Sequence, residues 1–135
     1  MKKPQAPGLS DSTLSALWRK VVLHVGRNTC VICGGGGYLE CHHIIKRRYK
    51  LLLWNWRNGV PVHKGDCHAT ADRLGMSAAG PAWYSYLLEM AKWTKKEYLM
   101  KNDWSESEWR AGVKNDLSAE LGGGAGAGLS EGRGL

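Results

Sequence analysis

An amphipathic pattern near the start of the chain predicts its first helix. Apolar residues recur there at helical spacing: Leu14, Leu17, Trp18, Val21, Val22 and Val25. Ser10 or Asp11 can cap the beginning of this helix, and Gly26 supplies a stop after its last turn. We expect the apolar face to pack against a core, while the opposite edge carries basic residues.

Helical signals return in the last third of the chain. Gly80-Pro81 predicts the start of a helix to about Trp93, with proline at a tolerated first-turn position. The segment 94–97 can extend that helix or begin another one. Ser105 and Glu108 form a capping-box pattern, which predicts a last helix over about 105–121. These C-terminal helices, over about 81–121, also offer a possible docking surface for a protein partner.

The middle of the chain follows a different pattern. A Cys30-x-x-Cys33 turn, four glycines and a β-favouring run over 38–45 predict a compact β-hairpin unit. Asn58-Gly59 is a turn signal that precedes a short extended piece, and a short helix should run from Gly65 or Asp66 to Leu74. The pattern therefore predicts an α+β fold. We expect a flexible arm over 1–10, a single domain over 11–121 and a disordered Gly-rich tail over 122–135.

Charge is unevenly distributed along the chain. Residues 1–66 contain eleven Lys and Arg against three acidic residues, whereas 67–135 contain eight against nine. A basic first half suits a polyanionic partner such as nucleic acid, although a soluble basic surface has the same composition. The apolar runs are too short to span a bilayer, and Met1-Lys2-Lys3-Pro4 is not followed by the apolar core of a signal peptide. We expect a cytoplasmic protein that does not bind a membrane.

Cysteine and histidine are concentrated in 39 residues, which hold all four cysteines and four of the five histidines. In a cytoplasmic chain this pattern favours metal over disulfides. Thiolate and imidazole are preferred zinc ligands, and two close pairs commonly complete a tetrahedral site. The predicted structural zinc site is Cys30, Cys33, His63 and Cys67. Cys41 competes for the fourth place, although on a strand its side chain should point away from that of His42.

The other histidines form a second group. His42 and His43 are adjacent, so a strand would place them on opposite faces and allow them to divide two tasks. His68 and Asp72 are four residues apart on the predicted helix and share one face. Packed on the hairpin, they could meet His42 around a second divalent ion such as Mg²⁺, Mn²⁺ or a transition metal. His43 would then be free to take a proton from an attacking water.

The order Cys-x-x-Cys, Glu-x-His-His-Ile, Asn, then Cys-His on a helix resembles the HNH (ββα-metal) nucleases, particularly the zinc-ribbon-stabilised ones of phages and mobile elements. The resemblance covers about residues 28–75. It implies a ββα-metal core, a one-metal endonuclease acting on DNA, and location in a bacterial or phage-infected cell. It also implies that His42 and His68 are ligands of the catalytic ion, that His43 is the general base, and that Asn58 orients this base by steadying its loop.

This chain departs from the family pattern at three positions. Asp72 stands where some members have a further histidine ligand. The second zinc pair is His63-x-x-x-Cys67, where many zinc-bearing members have another Cys-x-x-Cys. Gly59 follows Asn58, where the family usually has an apolar residue. Glu40 matches a common acidic position and should share the face of His42, as a partner of a ligand or as a further ligand.

A basic loop directly follows the paired histidines. Phosphate contacts from such cations position nucleic acid without reading its sequence. The predicted nucleic-acid-binding residues are Lys46, Arg47, Arg48, Lys50 and Arg57. Trp54 and Trp56 can form a stacking platform or, as we favour, pack the unit. Two other functions fit the same sequence: a non-catalytic, zinc-stabilised nucleic-acid-binding module, and an RNA-cutting or toxin-like nuclease.

Overall fold

The computed structural model describes residues 9–79 and 81–122. Within these ranges the fold is α+β, mostly helical, with one two-stranded antiparallel sheet. The helices and strands, in chain order, are α1 (Asp11–Val25), β1 (Glu40–His43), β2 (Gly59–Val62), α2 (Asp66–Leu74), α3 (Pro81–Ala91), α4 (Lys95–Asn102) and α5 (Glu106–Leu121). The predicted flexible arm and Gly-rich tail fall almost entirely outside the described residues.

Helix α1 begins and ends where the apolar pattern predicts. The Ser10 hydroxyl accepts a hydrogen bond from the Thr13 N–H at 3.2 Å, which satisfies one of the free donors of the first turn. Leu14, Trp18, Val21 and Val22 are buried, so the helical spacing did identify the packed face. Gly26 follows the last turn, where its Cα lies so close to Pro61 that an added Cβ would be 2.5 Å from the proline ring.

The sheet is shorter than the β-favouring run suggested. β1 covers four residues, and it pairs with β2 in a register that sets His42 opposite Val60 and His43 opposite Gly59. The turn predicted at Cys30-x-x-Cys33 does form, at residues 31–33. The prediction that it belongs to a β-hairpin is wrong, because the described residues contain no strand before β1 and β1 pairs with the later strand β2. Since an isolated two-stranded sheet is marginally stable, the surrounding helices must support it.

Two apolar clusters provide this support. One lies around the sheet, α2 and α3, with Leu52, Val62 and Leu87 fully buried. The other joins α1 to α5 and to the β1–β2 connection, and it includes Trp54 and Trp109 with ring centroids 5.8 Å apart. No helix in the described ranges is long and apolar enough to cross a membrane.

The C-terminal helices form as the capping signals predict. Thr94 completes a capping box at the start of α4, and Ser105 completes one at the start of α5. Helix α3 ends at Ala91, so α4 is a separate helix and not an extension of α3. Because α5 packs along α1, its apolar face is used inside the domain. Exposed apolar side chains on α3 and α4 are Tyr84, Leu88 and Met100.

Glu120, near the end of α5, carries a predicted pH dependence of stability. Its side chain is buried, and burial raises its pKa above the ordinary value of 4.5, with Asp116 acting in the same direction and Arg57 and His24 opposing. The folded state therefore holds the proton more tightly than the unfolded chain, so stability falls as pH rises from 4.5 through the raised pKa. We expect Glu120→Gln to stabilise the protein by roughly 0.5–1 kcal/mol at neutral pH, and to give no gain below pH 4.5.

Urea unfolding of both proteins across pH measures this difference. Glu89→Gln is the matched control, since Glu89 is an exposed glutamate on α3 whose ion pair with Lys92 is also exposed, and it should show a smaller effect. A Glu120→Gln protein less stable than the parent at neutral pH would contradict the assignment.

Candidate metal centres and proton-accepting histidine

Three cysteines and one histidine come together as the sequence predicted. The ligand atoms of Cys30, Cys33, His63 and Cys67 all lie within 4.8 Å of one another. The His63 Nδ1 is 3.2 Å from the Cys33 Sγ and 4.0 Å from the Cys67 Sγ. This Cys₃His set has the donors and the compactness of a tetrahedral site, so it could bind a structural zinc ion.

Three separate pieces of chain supply these ligands. The Cys30–Cys33 turn is closed by a hydrogen bond from the Gly34 N–H to the Cys30 carbonyl at 2.9 Å, and Gly34 adopts a φ of 79° that favours glycine. His63 directly follows β2, and Cys67 lies in the first turn of α2. A bound ion would therefore join the turn, the sheet and α2.

The electrostatics of the cluster favour thiolate at Cys30 and thiol at Cys67. Burial alone would raise the pKa of the Cys30 thiol, but hydrogen bonds from the backbone N–H groups of Cys33, His63 and Ile32 outweigh it and lower the pKa to about 6. Burial and the neighbouring Cys30 and Cys33 sulfurs raise the pKa of Cys67 to about 11. Since only thiolates bind metal well, loading this site must release protons.

Cys41 lies away from this cluster. Its Sγ is 3.5 Å from the Arg19 carbonyl oxygen, on the α1 side of the sheet, and burial raises its pKa to about 11 although Arg19 acts against this. It packs among apolar side chains. Of the two candidates for the fourth place, the geometry selects Cys67.

The second predicted group also comes together. The ligand atoms of His42, His68 and Asp72 lie within 4.8 Å of one another, and the His42 Nδ1 is 3.7 Å from the Asp72 Oδ1. Burial lowers the pKa of His42, opposed by Asp72 and assisted by His68, so the ring is neutral and able to offer a lone pair. The Asp72 side chain is 68% exposed, which leaves this side of the group open to solvent.

Glu40 contacts His68 as its strand position suggested. The His68 Nδ1 donates to the Glu40 Oε1 at 2.9 Å, which fixes the orientation of the ring. A carboxylate that holds one imidazole nitrogen in this way directs the other nitrogen toward a ligand position and strengthens it as a donor. Two imidazoles and a carboxylate are donors that suit a divalent ion.

His43 lies on the opposite face of β1 and has different neighbours. Its Nε2 is 2.9 Å from the Leu53 carbonyl oxygen, so this nitrogen must carry the proton and Nδ1 has the lone pair. The ring stacks on Trp18 with centroids 4.0 Å apart and planes 6° from parallel. Burial lowers the pKa of His43 to about 4, with Arg47 and His42 adding to the effect and the Leu53 bond opposing it. The imidazole is therefore neutral at physiological pH, with an unprotonated Nδ1.

Gly59 explains how Trp18 can reach this position. An added Cβ on Gly59 would lie 2.5 Å from Val22 Cγ2 and 2.6 Å from Trp18 Cζ2. Gly59 has an ordinary extended backbone, so close approach of α1 is the reason for glycine here. An apolar side chain at this position would push Trp18 away from His43.

Asn58 is fully buried and ties two loops together. Its Oδ1 accepts from the Ile45 N–H at 2.7 Å, and its Nδ2 donates to the carbonyls of Ile45 and Leu52 at 3.1 and 3.0 Å. These bonds use the backbone groups of Ile45 that would otherwise extend β1, which explains the short strand. They also fix the chain next to Leu53, whose carbonyl holds His43.

Substitution of Asn58 should therefore affect both stability and the position of His43. We expect Asn58→Asp to cost about 2–4 kcal/mol, because a carboxylate would face two carbonyl oxygens and leave both without a donor. Urea unfolding measures this loss. Asn55→Asp is a useful comparison, since Asn55 also caps the adjacent turn through its Oδ1, and a carboxylate keeps that bond. Equal losses in the two variants would contradict the proposed role of the Asn58 amide.

The predicted nucleic-acid-binding cations fall into two kinds. Lys46, Arg47, Arg48 and Lys50 are exposed on the loop that follows β1. Arg57 is held inside the domain: it pairs with Asp116 at 3.4 Å and lies 4.4 Å over the Trp56 ring, with its side chain 21% exposed. The four loop cations are exposed to solvent, whereas Arg57 is engaged within the domain; contact between nucleic acid and any of these five residues stays a prediction. Trp54 and Trp56 are buried and pack the unit.

Two features were missed by sequence reasoning. The stack of Trp18 on His43 joins residues from different elements, and nothing in the helical pattern separates Trp18 from its apolar neighbours. The Leu53 carbonyl is a backbone group, which has no sequence signal. Scans of protein-family models, of curated proteins and of solved structures find no match to this chain.

Proposed function

We propose that this chain is a metal-dependent endonuclease of the HNH type that hydrolyses phosphodiester bonds of DNA. The different surroundings of His42 and His43 carry the proposal. His42 lies in a group of possible metal ligands with His68 and Asp72. The Nε2 of His43 is bound to the Leu53 carbonyl, which leaves Nδ1 as the nitrogen with the lone pair. The order β1, β2, α2 supports it, because this order matches the ββα arrangement of that family.

In the proposed reaction His43 accepts a proton at Nδ1 from the water that attacks the phosphorus. The Leu53 carbonyl holds the opposite nitrogen, and Asn58 keeps the loop that presents this carbonyl in place. A divalent ion bound at His42, His68 and Asp72 would supply Lewis-acid stabilisation of charge on the phosphate and on the leaving 3′ oxygen. The product ends would be 5′-phosphate and 3′-hydroxyl.

The exposed loop cations would position the nucleic-acid backbone. These cations follow β1 directly, so they lie only a few residues after His43 in the sequence. A nucleic-acid strand held by Arg47 or Arg48 would therefore be held near His43. Such contacts are electrostatic, and binding should weaken as salt increases.

A plasmid-cleavage assay tests the proposal against a non-catalytic binding module. Zinc-loaded protein is incubated with supercoiled DNA and, in parallel, RNA, across several divalent ions, with bound zinc quantified separately. We expect cutting that requires an added ion although one zinc is already bound, and a loss of that cutting in His68→Ala protein that retains its zinc.

The outcomes separate the candidate functions. Tight nucleic-acid binding without cutting in any ion would overturn the nuclease proposal and leave a zinc-stabilised binding module. Cutting of RNA alone would keep the chemistry and replace DNA as the substrate.

A further inference from the structure

A groove beside the basic loop joins the loop to the C-terminal helices. It has a volume of about 320 Å³ and lies between the chain after β1 and the α3–α4 junction. Its lining combines four cations with two aromatic rings: Arg48, Tyr49, Lys50, Lys92, Trp93 and Lys95. The groove thus extends the positive surface from the loop onto helices for which the sequence indicated no contact with nucleic acid.

Two of the four cations of the groove have no carboxylate partner among the described residues, and no carboxylate of those residues lines the groove. Lys92 pairs with Glu89 at 3.4 Å, but both side chains are largely exposed, at 74% and 60%, and such a pair is weak. Arg48 and Lys50 have no carboxylate within ion-pair distance in the described part of the chain. Lys95 is the exception, held by Glu106 at 2.7 Å.

The aromatic rings are fixed yet partly accessible. Tyr49 and Trp93 are both half-buried, and Trp93 packs edge to face on Tyr98 with centroids 6.2 Å apart. Cations already lie over both rings, Arg48 at 5.1 Å and Lys101 at 4.7 Å from the centroids. Aromatic faces interleaved with cations are the usual means of holding unpaired bases and their phosphates.

We propose that this groove binds an unpaired segment of a nucleic-acid strand, with its phosphates on Arg48, Lys50 and Lys92 and a base against Trp93 or Tyr49. A duplex has no exposed base face to offer these rings, so the aromatic lining favours a single strand. Lys50 and Lys95 also line a second, smaller cavity together with Leu53, the residue whose carbonyl holds His43. The inference rests on the proposed function only in assuming that nucleic acid is the substrate.

Binding of a labelled single-stranded oligonucleotide about ten nucleotides long, measured without added divalent ions, tests this proposal. We expect the double substitution Arg48→Ala/Lys92→Ala to weaken binding about tenfold and to reduce the dependence of log affinity on log salt by about 1.4. The control is Lys64→Ala/Lys114→Ala, which removes the same charge from exposed lysines outside the groove lining and should change affinity less than about threefold.

Trp93→Leu tests the stacking part. It should weaken single-strand binding at least about fivefold, whereas Trp104→Leu, at another half-buried tryptophan outside the groove, should not. Zinc content and thermal unfolding verify that each variant is folded. The experiment on Arg48 and Lys92 can be interpreted whether or not the tryptophan variant folds.

Equal affinities of the groove and control variants would overturn the proposal, as would an equal loss of binding to a duplex of the same length. These outcomes are distinct from failure of the proposed function. Single-strand binding without cutting would keep the groove proposal and reject the nuclease proposal. Unchanged binding and cutting by the groove variants would reject the groove proposal and keep the nuclease proposal.

Discussion

His43→Gln protein is expected to bind zinc and DNA but to cut DNA about 10²–10⁴ times more slowly than the parent. The glutamine amide can still donate to the Leu53 carbonyl that now accepts from His43 Nε2. It has no basic nitrogen to accept a proton from water. Glutamine therefore removes the proton acceptor and preserves the hydrogen bond that anchors it, which alanine would not do.

His24→Gln is the matched control, because His24 is exposed on α1, outside both metal-ligand groups. Single-turnover cleavage at saturating divalent ion measures the rate of the chemical step, and oligonucleotide binding measures whether the variant still binds DNA. Since Trp18 stacks on His43, near-ultraviolet circular dichroism should also change at the indole in the variant. Undiminished cleavage by His43→Gln protein would exclude His43 as the base.

Local signals predicted the starts of α1 and α5 well because each start carries its own polar cap. Ser10 and Ser105 make side-chain hydrogen bonds at the starts that the sequence indicated, and Thr94 makes the same kind of bond at the start of α4. The strands were less predictable, since β1 stops where the Asn58 amide takes the backbone groups of Ile45. That competition depends on a residue thirteen positions away and has no local pattern.

Ligand chemistry made the candidate sites predictable to the level of residues. Cys30, Cys33, His63 and Cys67 could be grouped from their spacing, and strand alternation set the competing Cys41 apart; the four ligand atoms do lie together. What spacing could not supply was the surroundings of each site. The stack on Trp18, the engagement of Arg57 with Asp116 and the groove between Arg48 and Lys92 all join distant segments. They depend on how α1, α3 and α5 pack.

Loss of zinc should have the largest effect on stability. Binding of a structural zinc ion of this kind contributes about 10 kcal/mol or more, and the whole stability of a domain this size is about 5–15 kcal/mol. The ion would join the Cys30–Cys33 turn to the end of β2 and to α2, where the turn is otherwise held by such bonds as Val31 N–H to the Pro61 carbonyl at 2.9 Å. We therefore expect Cys30→Ser protein to bind no zinc and to lose cooperative thermal unfolding.

Cys41→Ala is the control, because Cys41 is also partly buried and yet lies outside the cluster. It should retain one zinc equivalent and unfold cooperatively, with a loss of about 1 kcal/mol for the smaller side chain. Atomic absorption on the purified proteins and thermal unfolding with and without a chelator measure both effects. Since His68 and Asp72 lie on α2, any cleavage activity should disappear with the zinc even though neither residue is changed. A Cys30→Ser protein that unfolds like the parent would show that the cluster does not stabilise the fold.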